Sequence, residues 1–210
     1  MDLKGKDLSG MDFSGRAMDG VDLEGVRWER SSGDPGTFND TSLVGARFTR
    51  ASFDRVKFIR AELVRAAMDH GVFLDSKFEE ANLEGAQLTG SNFRVSDFFA
   101  VRAARVNFDK TNIRDCSFCS AELALASFVD SDARKTVWEK ADLSGARFER
   151  CDLRRADFSQ ATLRGTIFKD CVLEGARFCG ADLSGADLSG EDLDGVDLEG
   201  ATLSGALMPA

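Results

Sequence analysis

Every fifth residue of this chain is large and apolar, from one end to the other. Counting from Leu3 to Met208 in steps of five gives 42 positions, which hold 17 Leu, 16 Phe, 3 Met, 2 Trp and 1 Ile; only Gly33, Ala103 and Ala133 break the rule. Sixteen of the 17 Phe and both Trp fall in this slot, and the phase never slips across 210 residues. A period of five fits neither the helical repeat nor the alternation of a flat strand, so the backbone has to turn a corner inside every unit. Two residues before each large side chain lies a second slot, filled by Ala, Ser, Thr, Val, Cys or Gly at 37 of its 42 positions. Small beside large at constant spacing places both on the inside. Asp or Asn often precedes the large residue, as at Asp142 and Asn82, and Gly often closes the unit, as at Gly145 and Gly185. Both are turn formers.

The runs Ala81-Asn82-Leu83-Glu84-Gly85 and Ala181-Asp182-Leu183-Ser184-Gly185 match unit for unit the A-(D/N)-L-x-x consensus of the pentapeptide repeat family, which the whole chain resembles. The resemblance implies an all-β, right-handed, quadrilateral (four-sided) β-helix, a solenoid with four pentapeptides per coil. On that reading the chain makes about ten coils and a rod roughly 50 Å long at about 4.8 Å per strand, as one domain over residues 1–210 without linkers. Residues 20 apart then stack. The column from Leu3 to Leu203 is Leu apart from Ala103, and the column from Met18 to Leu198 is nearly all aromatic. At the gaps, Trp28 is expected to fill the space left by Gly33, and Trp138 that left by Ala133. Ala103 has Phe98 and Phe108 as neighbours.

Departures from so regular a pattern are where function is to be sought. The five misfits in the small slot are Met1, Lys6, Met11 and Arg16 in the first coil and Glu191 near the other end. An inward charge in a terminal coil need not be buried, which suits an unshielded rod end. Residues 30–37 are the one loop-like stretch, and Gly33 with Pro35 argues for a local bulge that rejoins the register at Phe38. Phe99 is the one Phe outside the inward slot and is expected on the surface, in an outward column with Ile59, Glu79 and Cys119. Val72, Leu74 and Leu125 are further off-register apolar residues. Arg94, Arg114, Arg134 and Arg154 form a second outward column, like charges one strand spacing apart, unfavourable unless Asp115, Asp132 and Asp152 neutralise them.

Several chemistries are excluded. There is one His, His70, in an outward slot, so no histidine pair exists for metal binding or catalysis. Cys116 and Cys119 match C-x-x-C, but the period turns one inward and the other outward, and no second pair completes a zinc site. Cys151 and Cys171 fall on adjacent coils of one inward column, close enough for a bridge, yet free thiols serving as small core residues suit a chain with no export signal. The glycines recur every five residues and form no phosphate loop. No stretch approaches a membrane span. The reading is a cytoplasmic, non-enzymatic protein with no cofactor, no metal and, at a pI near 4.7, no direct binding to nucleic acid.

Two functions remain. The first is a non-catalytic interaction or scaffold rod that binds a protein partner through its central coils, with Phe99, Ile59, Arg94, Arg114, Arg134 and Arg154 as contacts. The second comes from the resemblance: some pentapeptide repeat proteins imitate duplex DNA and bind DNA gyrase or another type II topoisomerase, modulating it or protecting it from inhibitors. Duplex DNA carries about one charge per 1.7 Å of axis, whereas this chain has a net charge of −9, with −4 in residues 1–40, −6 in residues 161–210 and a nearly neutral middle. The acid sits at the ends. The terminal core residues Leu203 and Met208 are candidate contacts for a homodimer stacked end to end.

Overall fold

The computed structural model describes residues 3–34 and 36–209. The chain winds by 20 residues per circuit. Parallel bridges join the residue before the central one of most pentapeptides to its counterpart 20 later, from Asp7↔Arg27 to Asp187↔Leu207. At three places the bridges extend into short strands, β1 (Ser127–Val129), β2 (Arg147–Glu149) and β3 (Ile167–Lys169). These pair in parallel with Phe128, Phe148 and Phe168 in register.

The corners explain the five-residue phase. In most units the carbonyl of the large central residue accepts the N–H three residues on, as in Lys6 to Leu3 at 3.0 Å and Ala66 to Leu63 at 2.9 Å. Only the second of the two residues between them has positive φ, which is the type II turn. Glycine suits that position, yet many units place a larger side chain there, such as Arg50 (φ 59°) and Val95 (φ 66°). The left-handed conformation costs about 1–2 kcal/mol for an L-residue. It persists because the neighbouring coil fixes the backbone: Arg50 N–H donates to Asp69 O at 3.0 Å and Val95 N–H to Arg114 O at 3.0 Å. At Gly145 the requirement is steric as well, because a Cβ there would lie 2.7 Å from Leu125 Cδ2 one coil below.

Stacked circuits turn like residues into ladders. Rings follow one another along the axis from Phe38 to Phe178, with Phe78–Phe98 at 4.8 Å and 5° and Phe98–Phe118 at 4.7 Å and 3°. A second ladder runs through Phe108, Phe128, Phe148 and Phe168, meeting the first edge to face, as in Phe108–Phe118 at 85°. Spacing near the strand separation, with stacked contacts along the axis and T-shaped ones across it, is a favourable arrangement for aromatic quadrupoles. The small slot completes the core. Where it holds Ser or Cys, and at Thr41 and Thr166, the side chain donates to the central carbonyl one coil down, as in Ser91 to Met68 O at 2.6 Å and Thr166 to Leu143 O at 2.8 Å, whereas Thr111 and Thr136 donate to Phe108 O and Ala133 O of their own coil.

Three expectations are corrected. Residues 30–37 carry no bulge: Ser32 pairs with Asp12 and Ser52, and Thr37 with Ala17 and Lys57, all at the regular offset, so no residue is inserted; Pro35 itself lies outside the described residues. The space at Gly33 is taken by the ring of Phe53, 2.7 Å from where a Cβ would stand, rather than by Trp28 alone. Glu191, grouped by sequence with the exposed end charges, is buried, whereas Lys6, Met11 and Arg16 are exposed as expected.

Candidate interaction surface

The corner after each central residue projects outward, so the circuit length decides which corners become neighbours. Arg94, Arg114, Arg134 and Arg154 follow Phe93, Ile113, Ala133 and Leu153 and occupy one corner of successive coils. The expected neutralisation is present. Arg134 donates to Asp132 through Nε at 2.8 Å and Nη2 at 2.5 Å, and also faces Asp152 at 3.5 Å. Arg154 grips Asp152 in the same two-pronged way, at 2.9 and 2.5 Å. Burial alone would raise the Asp132 and Asp152 carboxyls, but the hydrogen bonds from these guanidinium groups outweigh it and hold both below the ordinary range. The same contacts raise Arg134 and Arg154 further above their usual value.

Neutralisation is incomplete. Arg114 Nε is 3.3 Å from Asp115 but makes no hydrogen bond, and Arg94, Lys135 and Arg155 form no ion pair among the described residues. Arg114, Arg134, Lys135, Arg154, Arg155 and Glu174 line a cleft of about 280 Å³. Its lining carries five cations and one carboxylate, with two of the cations already engaged by Asp132 and Asp152.

Apolar side chains are exposed on the coils that precede the cleft. Phe99 is 45% exposed, held at the corner by its N–H to Asp97 Oδ1 at 3.0 Å. Val95, 46% exposed, lines a second cleft of about 310 Å³ with Leu74, Asp75 and Arg94. Sequence reading missed Val95, although it is as far off register as Leu74. Ile59 is half-buried two coils from Phe99, with Glu79 between them engaged by Lys77 at 2.7 Å. The structure places Val95 beside Arg94, and Phe99 one pentapeptide further along the same coil. Leu203 is exposed and Met208 half-buried at the last coil.

Of the thiols and the histidine, Cys119 stands one coil above Phe99 in the same column. Cys116 is buried with Sγ donating to Phe93 O at 2.9 Å, and Cys119 is half-buried on the outside, so the C-x-x-C pair diverges. All five cysteines are free. His70 is exposed, its ring lying over Gly90. Among the described residues no group of three His, Cys, Asp or Glu could hold a metal ion, and no helix is long and apolar enough to cross a membrane.

Comparison with known proteins places the fold. Residues 37–69, 63–98 and 171–208 match the family model for pentapeptide repeats, and residues 101–178 match that for a pentapeptide repeat region. Among solved structures, HetL from the cyanobacterium Nostoc sp. strain PCC 7120, a pentapeptide repeat protein involved in heterocyst differentiation regulation, is 24% identical with a TM-score of 0.79, covering 99% of this chain and 91% of its own. A trypsin-treated form of QnrB1, a plasmid-mediated fluoroquinolone resistance protein, is 21% identical with a TM-score of 0.53, covering 93% of this chain and 89% of its own. Among curated proteins, none matches this sequence. At these identities the likeness is one of fold.

Proposed function

The chain belongs to the pentapeptide repeat family, and from that premise we propose that it is a non-catalytic interaction rod, a single right-handed four-sided β-helix of about ten coils whose central surface binds a protein partner. The observation that carries this is an exposed aromatic, Phe99, one pentapeptide on from Arg94 at the near end of the arginine column, whose later members line a cleft holding five cations. A desolvated aromatic beside arginines is the composition of an interface hot spot. Arg94, Lys135 and Arg155 supply unpaired donors for an acidic partner surface, while Arg134 and Arg154, fixed by their aspartates, supply pre-ordered ones. Ile59 extends the apolar margin. Leu203 and Met208 remain the place where a second copy would stack end to end.

Imitation of duplex DNA fits this surface less well. Such a decoy needs a continuous acidic face, and in the central coils carboxylates such as Asp130, Asp132 and Asp152 are engaged by Arg150, Arg134 and Arg154. The double variant Phe99→Ser with Arg114→Glu should lose partner capture and keep its circular-dichroism melt; undiminished capture would refute the assignment. A gyrase supercoiling titration separates the two readings, since a scaffold leaves the curve unmoved and a decoy shifts it.

A further inference from the structure

Glu191 sets one corner of the rod apart. It is the single charged residue in the inward small slot beyond the first coil, and it is only 4% exposed. Elsewhere a serine in that slot accepts the N–H of the residue one coil earlier, as Ser91 does from Gly71 at 3.1 Å and Ser96 from Ser76 at 3.0 Å. Glu191 Oε2 accepts from Cys171 N–H in the same way, at 2.9 Å. Its side chain is longer than serine, and the ladder beside it is open. Among the described residues Val172 and Asp192 form no bridge. The regular bonds from Asp170 N–H to Ser189 O, Asp192 to Cys171, Leu173 to Asp192 and Gly175 to Asp194 are not made. Pairing resumes at Arg177↔Asp197. Gly190, in the same opening, is the one described residue closing a pentapeptide whose φ is not positive.

The other oxygen, Glu191 Oε1, is buried with no hydrogen-bond partner within 3.5 Å, the freed Asp170 N–H being the nearest backbone donor to the carboxylate after that of Cys171. An unsatisfied buried acceptor is a destabilised group waiting for a donor. Two clefts, of about 350 and 530 Å³, flank the corner, the first lined in part by Glu191 itself. Their linings hold Asp170, Glu174, Asp187, Glu191, Asp192 and Asp194 against one cation, Lys169, which faces Glu149 at 3.8 Å. None of those six carboxylates makes an ion pair among the described residues. Ile167 and Val172, 40% and 47% exposed, stand on either side of the opening.

We propose that this open corner is a binding site for a primary ammonium group carried on an apolar stem, the chemistry shared by a lysine side chain of a partner polypeptide and by a free diamine. The stem lies against Ile167 or Val172. The ammonium, a compact charge with three donors, reaches Oε1 and the surrounding carboxylates. Entry requires coils to part only where the ladder bonds are already absent. Burial raises the Glu191 carboxyl, and a cation at Oε1 reverses that effect.

The test is an amide NMR titration of the isotopically labelled full chain with cadaverine and, separately, with N-acetyl-lysine methylamide, at constant ionic strength. Saturable shifts confined to residues 167–175 and 187–195 are expected with at least one probe. Saturation by the blocked lysine assigns the site to a polypeptide side chain, and saturation by cadaverine alone to a free diamine. Glu191→Gln, which keeps the acceptor for Cys171 N–H and should keep the fold, is expected to weaken binding at least tenfold, and Val172→Ser to weaken it less. The proposal is overturned if neither probe saturates, if the shifts spread over acidic residues along the whole rod, or if Glu191→Gln binds as tightly as the parent.

Discussion

Phe98 and Phe99 are adjacent in sequence and opposite in physical situation, so the same truncation applied to each measures the phase of the repeat. Phe98 is fully buried, stacks on Phe78 at 4.8 Å and on Phe118 at 4.7 Å, and meets Phe93 edge to face at 5.4 Å. Phe98→Ala removes a ring from a ladder whose neighbours are held one strand spacing apart by backbone bonds, so the cavity has little scope to collapse. Buried Phe→Ala changes cost about 3–5 kcal/mol, and loss of two stacked pairs places this site toward the upper end, since each pair adds roughly 0.5–1.5 kcal/mol. At about 2–4 °C per kcal/mol for a chain of this size, the midpoint should fall by roughly 10 °C or more. Phe99→Ala truncates a side chain with little packing to lose, and its effect should stay within about 0.5 kcal/mol. Equilibrium unfolding in guanidinium chloride, read by far-ultraviolet circular dichroism, gives both numbers. Equal losses at the two sites, or a larger loss at Phe99, would refute the reasoning.

Other outcomes follow from individual side chains. Trp138 Nε1 donates to Thr136 Oγ1 at 2.7 Å, whereas the buried Trp28 Nε1 has no partner and Val26 stands at the equivalent place. Val26→Thr supplies the acceptor and should raise unfolding stability by about 1 kcal/mol, measured by the same denaturation; a loss would show that the two indoles are not equivalent. Burial, with Asp170 and Asp187 nearby, raises the Glu191 carboxyl in the folded state. A raised acid destabilises the fold progressively as pH climbs from the ordinary glutamate value through the folded one. Glu191→Gln should therefore raise the melting temperature at pH 8 and leave it nearly unchanged at pH 4, and equal shifts at both would contradict the burial argument. Native thiol labelling should modify Cys119 and Cys179, which are half-buried, and spare Cys116 and Cys151 until unfolding. Burial pushes the Cys116 thiol up, away from the reactive thiolate.

The repeat was legible because one slot carries nearly all the core: Leu and Phe at every fifth position dictate corners, while the 20-residue circuit was implied by the family resemblance and agreed with the purity of the stacked columns. The arginine corner and its aspartates followed from the same arithmetic. Residues 30–37 misled because Gly and Pro usually signal irregular backbone, whereas here the type II corners and ladder bonds of neighbouring coils hold the segment in phase. Glu191 misled for a different reason. Its slot and nearness to an end suggested solvent, but the next pentapeptides, through Asp197 and Thr202, pair back onto the rod and enclose it. Val95 was overlooked because a β-branched residue at positive φ carries no distinctive pattern, and only the three-dimensional corner shows it beside Leu74 and Arg94.

The contact claim is tested most directly by placing the photoreactive residue p-benzoyl-phenylalanine at position 99, with Glu24 near the rod end as the comparison site, and irradiating each protein in its native cell extract. The account predicts one discrete protein adduct from position 99, abolished by Arg114→Glu, and none from position 24. Adducts of equal yield from both positions, or from position 24 alone, would contradict it.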